Sequence, residues 1–325
     1  MVKGVGLLSG GLDSILAIRV LQDQGISIIG VSFVTPFFGS KKAENAAKML
    51  NIDLRVINIS SIHLEMVRSP KHGYGKEMNP CIDCHTLMFH EAGKLMETEN
   101  ADFLFSGEVL GERPMSQNYQ SLMKVANGSG YKDFIIRPLS AKLLPETLPE
   151  HEGKVDRERL LDISGRSRKR QVELAKHYGI TEYAQPAGGC LLTDPAYSRR
   201  LRELMDKNPD FDIRDAELLA IGRHFRLDTG EKIIIGRNQQ DNEKLMSLRT
   251  DEDVIIDVID YPSPIVMIPH GGSEEVMKIA ASISVLYGDT PKDDMVQVIY
   301  YHKGKSNILF AQSFPKDDLD KIRIG

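Results

Sequence analysis

The sequence predicts an α/β protein with a mainly parallel sheet and helices on both faces, followed by a smaller α+β module. Three observations lead to this prediction. In the first half of the chain, short apolar runs alternate with segments of helical spacing, which is typical of βαβ units. A glycine-rich turn joins the first apolar run to the first helical segment. Beyond about residue 195, strand-like runs follow one another with one long helical segment among them.

The first half contains five candidate strands and three candidate helices. The strand candidates are short apolar runs, at residues 5–8, 28–32, 54–59, 103–105 and 134–136. The helix candidates carry apolar residues three or four positions apart, at residues 12–21, 43–50 and 87–96. Ligands of parallel sheets bind at the carboxyl ends of the strands. We therefore expect three segments along one edge: Ser9–Ser14, Ser32 with Phe33, and Ser106–Glu108.

The second half has a different pattern. Its strand-like runs are residues 233–235, 254–259, 265–268, 296–301 and 308–311, and one helix is predicted at about residues 274–286. These elements indicate a separate core, so we predict two domains, residues 1–194 and 195–325, with the junction at Asp194–Pro195. Residues 141–153, with two prolines and little periodicity, are expected to form a surface loop.

Length and composition limit the class of protein. A chain of 325 residues favours two domains, and 41% hydrophobic with 27% charged residues is typical of globular proteins. The longest uncharged run, residues 24–40, is interrupted by glycines, serines and a proline, and the N-terminus has no signal-like pattern. We therefore expect a soluble, cytoplasmic protein with no membrane partner. At a net charge of −5, a nucleic-acid partner would have to bind local basic patches.

The turn Ser9-Gly10-Gly11-Leu12-Asp13-Ser14 has the features of a nucleotide-binding loop. It follows an apolar run and opens a helix, so unpaired backbone N–H groups face an incoming anion. The glycines allow the main chain to approach phosphate closely, and Ser9 and Ser14 add hydroxyl donors. It is not the P-loop of ordinary NTPases, because no lysine closes it.

The three cysteines form a C-x-x-C pair and one remote residue. Cys81 and Cys84 stand just ahead of a helix expected to begin near His85, and a helix N-terminus favours thiolates. Cys190 ends a second glycine-rich segment, residues 186–190. Three soft ligands suit an iron–sulfur cluster with one iron left open. The alternatives are persulfide or dithiol chemistry, zinc completed by His85 or His90, and unrelated buried thiols.

The S-G-G-x-D-S string resembles the PP-loop of ATP pyrophosphatases, which implies an adenine nucleotide α-hydrolase-like fold and cleavage of ATP between its α and β phosphates. Together with Asn79–Cys84 and Gly189–Cys190, it resembles the tRNA thiouridine synthetases. Ser106–Gly111 with Ser116 and Gln117 is similar to a segment of the 4-thiouridine synthetases. The resemblance implies that a uridine carbonyl oxygen in tRNA is adenylated and then replaced by sulfur.

The resemblance also implies roles for the cysteines. In cluster-dependent members, residues placed like Cys81, Cys84 and Cys190 hold a 4Fe–4S cluster whose free iron carries the sulfur. Members without a cluster use two cysteines to form and resolve a persulfide. The implied cofactors are ATP, Mg²⁺ and the 4Fe–4S cluster. The implied partners are tRNA and a sulfur donor, either inorganic sulfide or a cysteine desulfurase, with a homodimer as the expected assembly.

Each edge segment has an expected role in this reaction. The phosphates of ATP are expected at four loop residues, Ser9, Gly10, Gly11 and Ser14. Asp13 is expected to position Mg²⁺ or pyrophosphate. The backbone near Ser32 and Phe33 is expected to take the adenine, with Gly107 at the same edge. Glu108 is expected to act as a base or a magnesium ligand, the alternative being a solvated loop carboxylate.

The C-terminal module resembles the RNA-binding domain of ribosome quality-control proteins, on three short strings: residues 222–226, 236–239 and 242–245. Two basic runs are candidate phosphate contacts: Arg166, Arg168, Lys169 and Arg170, and then Arg199, Arg200 and Arg202. Arg113 is expected at the mouth of the active site, and most histidines are interpreted as ordinary surface or core residues. The alternative functions are a PP-loop synthetase or sulfurtransferase acting on a small molecule, and a non-catalytic RNA-binding module.

Overall fold

The computed structural model describes residues 1–184 and 189–325. These residues form two compact units, Met1–Thr193 and Asp194–Gly325. Asp194 is the N-cap of the first helix of the second unit: its side chain accepts a hydrogen bond from the Tyr197 N–H at 2.7 Å, and Pro195 follows it at the first helical position. In residues 1–184 and 189–325, no helix combines the length and apolar character needed to cross a bilayer.

The first unit is built on a five-stranded sheet in which every pairing is parallel. Its strands are β1 (Lys3–Leu7), β2 (Ser27–Val34), β3 (Asp53–Asn58), β4 (Phe103–Ser106) and β5 (Ile135–Ile136). Their order is β3-β2-β1-β4-β5. The direction of winding therefore changes between β1 and β4, which is where ligands bind in open sheets of this kind.

Seven helices accompany this sheet in the described part of the unit. They are α1 (Leu12–Gln22), α2 (Lys41–Leu50), α3 (Ser60–Arg68), α4 (Cys81–Thr98), α5 (Tyr119–Ser129), α6 (Leu148–His151) and α7 (Lys169–His177). One core cluster contains the apolar residues of α1 and α2, and another contains those of α4 and α5. The predicted α/β class, with a parallel sheet between two helical layers, is confirmed.

Close packing of β1 against β4 fixes the centre of the sheet. A Cβ atom at Gly4 would lie 2.7 Å from the Phe103 ring, and one at Gly6 would lie 2.2 Å from the Phe105 ring. The two phenylalanines therefore lie over the glycines of the neighbouring strand, and both are fully buried.

Three predicted boundaries differ from the structure. The fourth helix begins at Cys81, so the C-x-x-C pair lies inside its first turn and not ahead of it. Strand β2 continues to Val34, so Ser32 and Phe33 lie within the strand. Residues 141–153 are not simply a surface loop, because they include α6 and the buried side chains of Ala141 and Leu144.

The second unit has a seven-stranded sheet of antiparallel pairs in the order β11-β10-β8-β9-β7-β6-β12. The strands are β6 (Arg223–Arg226), β7 (Lys232–Ile235), β8 (Val254–Val258), β9 (Val266–Ile268), β10 (Val296–His302), β11 (Lys305–Ala311) and β12 (Arg323–Ile324). The helices are α8 (Pro195–Lys207), α9 (Ile213–Leu218), α10 (Gln239–Leu248), α11 (Glu274–Tyr287) and α12 (Lys316–Ile322). The predicted α+β class is confirmed.

Candidate active site

The Ser9–Ser14 turn lies between β1 and α1 and is held by its own hydroxyl groups. Gly10 has φ +76°, and a Cβ there would lie 2.3 Å from the backbone oxygen of Lys42, so the position requires glycine. The Ser9 hydroxyl accepts from the Gly11 N–H at 3.3 Å, and the Ser14 hydroxyl donates to the Gly11 carbonyl at 2.8 Å. These hydrogen bonds within the turn fix its backbone beside the start of α1.

Asp13, in the first turn of α1, lies in a group of four polar side chains that the sequence did not predict. Arg168 Nη2 lies 3.7 Å from Asp13 Oδ2, and Arg168 Nε lies 3.7 Å from Glu112 Oε1. Gln171 Nε2 donates to Glu112 Oε2 at 3.3 Å. Arg168 is thus 23% exposed and directed at the loop, not at a solvated helix face as its basic run suggested.

Two carboxyl groups share this small space, and each is harder to ionise than usual. Burial raises the pKa of Asp13, and the nearby guanidinium groups of Arg168 and Arg113 only partly offset it. Burial also raises the pKa of Glu112, and the charge of Asp13 raises it further. Such a pair is a suitable partner for a hard cation, which supplies the missing positive charge.

Glu108 is completely engaged by other protein groups. Arg137 Nε donates to Oε2 at 2.9 Å, and His85 Nδ1 lies 2.7 Å from Oε1. Burial opposes ionisation, but the charges and hydrogen bonds of Arg137 and His85 outweigh it and hold the pKa of Glu108 at about 2. The alternative of a solvated loop carboxylate is wrong, because the residue is only 4% exposed. A carboxylate with this pKa accepts protons poorly near neutral pH.

Gly107 and the end of β2 connect the neighbouring segments to the loop. A Cβ on Gly107 would lie 2.4 Å from the backbone of Asp13 and Ser14, so the Ser106–Glu108 segment touches the start of α1 main chain to main chain. The β1–β2 register ends at Val31, whereas the β2–β3 register continues to Val34. The side of Phe33 that faces β1 is therefore beyond the β1 ladder, where the adenine is expected.

The three thiols influence one another. Burial raises the pKa of Cys84 well above its usual value, and the charges of Cys190 and Cys81 raise it further. Burial also raises the pKa of Cys190 to about 11; the charge of Cys81 adds to this, while a backbone hydrogen bond from Leu192 and the charge of Arg113 oppose it. All three are free thiols. Residues 186–188 of the predicted glycine-rich segment lie outside the described residues.

Polar groups from the protein are directed at two of these sulfur atoms. His63 Nε2 lies 3.3 Å from Cys84 Sγ, and Asn79 Nδ2 donates to Cys81 Sγ at 3.2 Å. These contacts orient the two sulfur atoms, and protein groups around sulfur ligands tune the binding of iron or of transferable sulfur. Within the described residues, no three His, Cys, Asp or Glu side chains are arranged as a metal site. The donor set itself, three soft ligands with N–H groups nearby, fits an iron–sulfur cluster.

The interpretation of the histidines as ordinary residues missed three of them. His63 is fully buried on α3, and burial lowers its pKa to about 4. His72 pairs with Asp83 at 2.7 Å, and His85 pairs with Glu108. The contacts of His63 with Cys84, of His72 with Asp83 and of His85 with Glu108 all lie at the start of α4. A sequence signal exists only for His85, one helical turn after Cys81 and therefore on the same face.

Arg113 links the two halves of the site. It is exposed in the loop after β4, and its positive charge lowers the pKa of Asp13 and Glu112 on one side and of Cys190 on the other. The other residues of the first basic run differ from Arg168: Arg166 and Lys169 are exposed, and Arg170 Nη2 pairs with Asp162 Oδ1 at 2.7 Å.

In the second unit, the second basic run contributes to a larger cationic group. Burial lowers the pKa of Arg200, and the charges of Arg237, Arg323 and Arg199 lower it further, against a counteracting charge from Asp194. Arg199, Arg202, Arg237 and Arg323 are exposed. Helix α8, the end of β7 and β12 thus present positive charge together.

Comparison with protein families identifies both parts of the chain. Residues 2–142 match the family model described as Thiamine biosynthesis protein (ThiI). Residues 222–323 match the NFACT protein RNA binding domain, which confirms the likeness seen in the short strings of the second half. The loop, Cys81, Cys84 and Glu108 lie within the range that matches the ThiI model, while Arg168, Gln171 and Cys190 lie beyond it.

Curated relatives of this chain include tRNA sulfurtransferases that match less than half of it. A probable tRNA sulfurtransferase of Ureaplasma parvum is 30% identical over 151 residues, 43% of this chain and 37% of its own length. One from Methanosarcina mazei is 33% identical over 120 residues, 34% of this chain and 29% of its own. The chain thus spans about a third of the length of these relatives. A 4-thiouridine synthetase–RNA complex with bound ATP has a TM-score of 0.32 and 19% identity, and the alignment covers 56% of this chain and 54% of that one.

Proposed function

We propose that the chain is an ATP-dependent tRNA sulfurtransferase, which adenylates a uridine carbonyl oxygen and replaces it with sulfur. One observation carries the proposal: a cysteine site lies beside the Ser9–Ser14 turn, since the positive charge of Arg113 lowers the pKa of Asp13 in the turn and of Cys190 alike. A reaction that activates an oxygen with ATP and displaces it with sulfur needs these two centres together.

The nucleotide half of the reaction uses the loop. The N–H groups at the start of α1, with the hydroxyls of Ser9 and Ser14, bind the phosphates of ATP, and the backbone near Phe33, beyond the β1 ladder, takes the adenine. Asp13 and Glu112 hold Mg²⁺; a buried Asp13 oxygen without a hydrogen-bond partner among the described residues fits that role. When bound, Mg²⁺ neutralises charge on the phosphates as pyrophosphate departs.

The sulfur half of the reaction uses the cysteines. Cys81, Cys84 and Cys190 would hold a 4Fe–4S cluster, which would supply a binding site for the sulfur to be transferred. Asn79 and His63 contact two of the sulfur atoms and orient them. The second route, with a persulfide on one of these cysteines and no cluster, uses the same residues. Because Glu108 is engaged on both oxygens, we assign it to positioning His85 beside the cysteines and not to proton transfer.

The second unit supplies contacts for RNA. Its exposed arginines Arg199, Arg237 and Arg323 bind backbone phosphates of tRNA, as local patches must on a chain of net charge −5. Replacing all three with alanine should weaken tRNA binding and reduce its salt dependence, whereas Lys278→Ala, an exposed lysine paired with Glu274, should leave both unchanged.

The central experiment separates the two half-reactions. Anaerobically reconstituted protein is incubated with Mg-ATP, sulfide and unmodified tRNA, and pyrophosphate release and thionucleosides are measured. The wild type should give both products, Cys190→Ser should release pyrophosphate without thionucleoside, and Asp13→Asn should give neither. The absence of thionucleosides with the wild type would overturn the proposal. Pyrophosphate release that does not depend on tRNA would favour a small-molecule substrate. Thiolation by iron-free protein, when a cysteine desulfurase and cysteine replace sulfide as the source of persulfide-level sulfur, would favour the persulfide route.

A further inference from the structure

The group of Asp13, Glu112, Arg168 and Gln171 has a composition that the ThiI-family match does not explain. Its members come from three separate segments: the start of α1, the loop after β4, and the start of α7. Gln171 is completely buried, and Arg168 is about three-quarters buried. Two carboxylates and a guanidinium in a buried space are expensive to desolvate unless their hydrogen bonds are made.

Those hydrogen bonds are incomplete. Both distances from Arg168 to the carboxylates are 3.7 Å, beyond hydrogen-bond length. Among the described residues, Arg168 Nε, Asp13 Oδ1 and Gln171 Oε1 are buried without a hydrogen-bond partner. Buried polar atoms are normally satisfied, so three unsatisfied atoms in one group indicate that the group binds something else.

The arrangement of charges indicates what that ligand is. The turn has no lysine, so the cation that faces the phosphates must come from another segment. Arg168 lies against Asp13, one residue from the Leu12 start of α1, where an anion binds. The two carboxylates suit a divalent cation, and the guanidinium suits a phosphate through its forked donors. A magnesium–polyphosphate satisfies both requirements at once.

We propose that Arg168 is a phosphate-binding residue of the nucleotide site, and that Gln171 is a positioning residue that orients Glu112 toward the magnesium ion. In this site Asp13 and Glu112 would ligate the cation, and the guanidinium of Arg168 would contact the phosphates that leave as pyrophosphate. The inference rests on the proposed function, since it requires ATP at the Ser9–Ser14 turn.

The test measures binding to the full chain by calorimetry with three probes: magnesium α,β-methylene-ATP, magnesium pyrophosphate and AMP. Arg168→Ala should weaken the first two by about 10- to 100-fold, the usual effect of losing a charged hydrogen bond, and leave AMP within about twofold. Arg170→Ala is the matched control, because Arg170 is two residues away, exposed and paired with Asp162. It should bind all three probes like the wild type.

The outcomes separate this inference from the proposed function. If the wild type fails to bind magnesium α,β-methylene-ATP, both are overturned. If the wild type binds it but Arg168→Ala binds it equally well, or loses AMP to the same extent, only the inference is overturned. If Arg168→Ala does not fold, Arg168→Lys replaces it: it keeps the charge but loses the forked donors, and should weaken pyrophosphate binding by about 10-fold with AMP unchanged.

Discussion

Two acidic residues at the same edge of the sheet, Glu108 and Asp13, differ in how their oxygens are used. Both oxygens of Glu108 are engaged by Arg137 and His85, and its pKa is about 2. Asp13 has one oxygen without a hydrogen-bond partner among the described residues, its nearest cation is 3.7 Å away, and its pKa is raised. The difference teaches that burial alone does not mark a functional carboxylate. The unmet hydrogen-bonding capacity does.

The comparison predicts that Glu108 matters mainly for stability. Glu108→Gln leaves the charge of Arg137 buried without a counter-ion and should reduce the free energy of unfolding by about 3 kcal/mol. Hydrogen exchange of residues 103–137 in the full chain, with denaturant titration, measures this. Glu158→Gln is the control, since Glu158 is exposed in its pair with Lys142. A loss below 1 kcal/mol would contradict the structural role.

The same carboxylate predicts an acid sensitivity. The pKa of Glu108 falls from an ordinary value of 4.5 to about 2 on folding, so its contribution is complete above pH 4.5 and is lost as the pH falls toward 2. The stability difference between wild type and Glu108→Gln should be constant from pH 8 to about pH 5 and shrink below 4.5. Denaturant titrations at half-unit pH steps measure it. A difference that persists unchanged at pH 3 would count against the low pKa.

Asp13, in contrast to Glu108, should matter for the reaction and little for stability. Asp13→Asn removes one of two adjacent carboxylates and should change stability by no more than about 1 kcal/mol, because relief from Glu112 offsets the loss of Arg168. It should reduce tRNA-dependent pyrophosphate release by about 100-fold or more, since a ligand of Mg²⁺ is lost. Melting curves measure the change in stability, and initial rates measure pyrophosphate release. A large loss of rate with little loss of stability would distinguish Asp13 from Glu108. Normal rates with Asp13→Asn would remove Asp13 from the reaction.

Gly107 lies between the two carboxylates, so a methyl group there tests whether they are independent. Gly107→Ala places a Cβ 2.4 Å from the Asp13 backbone and should cost about 1–3 kcal/mol while displacing the loop. We expect weaker nucleotide binding in calorimetry, with the Glu108–His85 pair retained in a crystal structure. Gly130→Ala, at a helix end with open space but positive φ, controls for backbone strain alone.

Asp162 is a third carboxylate, and we expect its substitution to change stability least. Asp162 pairs with Arg170 at 2.7 Å, but both side chains are more than half exposed. Asp162→Asn should change the free energy of unfolding by less than about 0.5 kcal/mol and leave pyrophosphate release unchanged. Thermal melting and initial rates provide the measurement. A larger loss would show that exposure is a poor guide to the cost of a carboxylate in this unit.

Local sequence patterns were enough to predict the parallel sheet of the first unit and the turn at Ser9–Ser14. The apolar run, glycine turn and helix around Ser9–Ser14 are contiguous, and the parallel sheet follows from the alternation of such units. The start of α4 was misplaced because Cys81–Cys84 carries no apolar periodicity. In the second unit, β6 and β12 were missed because both are short and begin with arginine.

The contacts within the candidate site were not predictable in this way. Arg168 lies 155 positions from Asp13 in sequence and stands in a run of basic residues, which normally indicates a solvated helix face. His63 and Cys84 come from different helices, and no local spacing relates them. Pairings between distant segments depend on how the helices pack on the sheet. The composition of either segment alone does not predict that packing.

Three side-chain contacts hold the start of α4: His72 with Asp83, His85 with Glu108, and His63 with Cys84. Each contact is between two side chains of this chain. Side chains from α3, from the segment before α4 and from the loop after β4 thus meet at one helical turn. The spacing of Cys81 and Cys84 is therefore set by contacts between distant segments as well as by the helix itself.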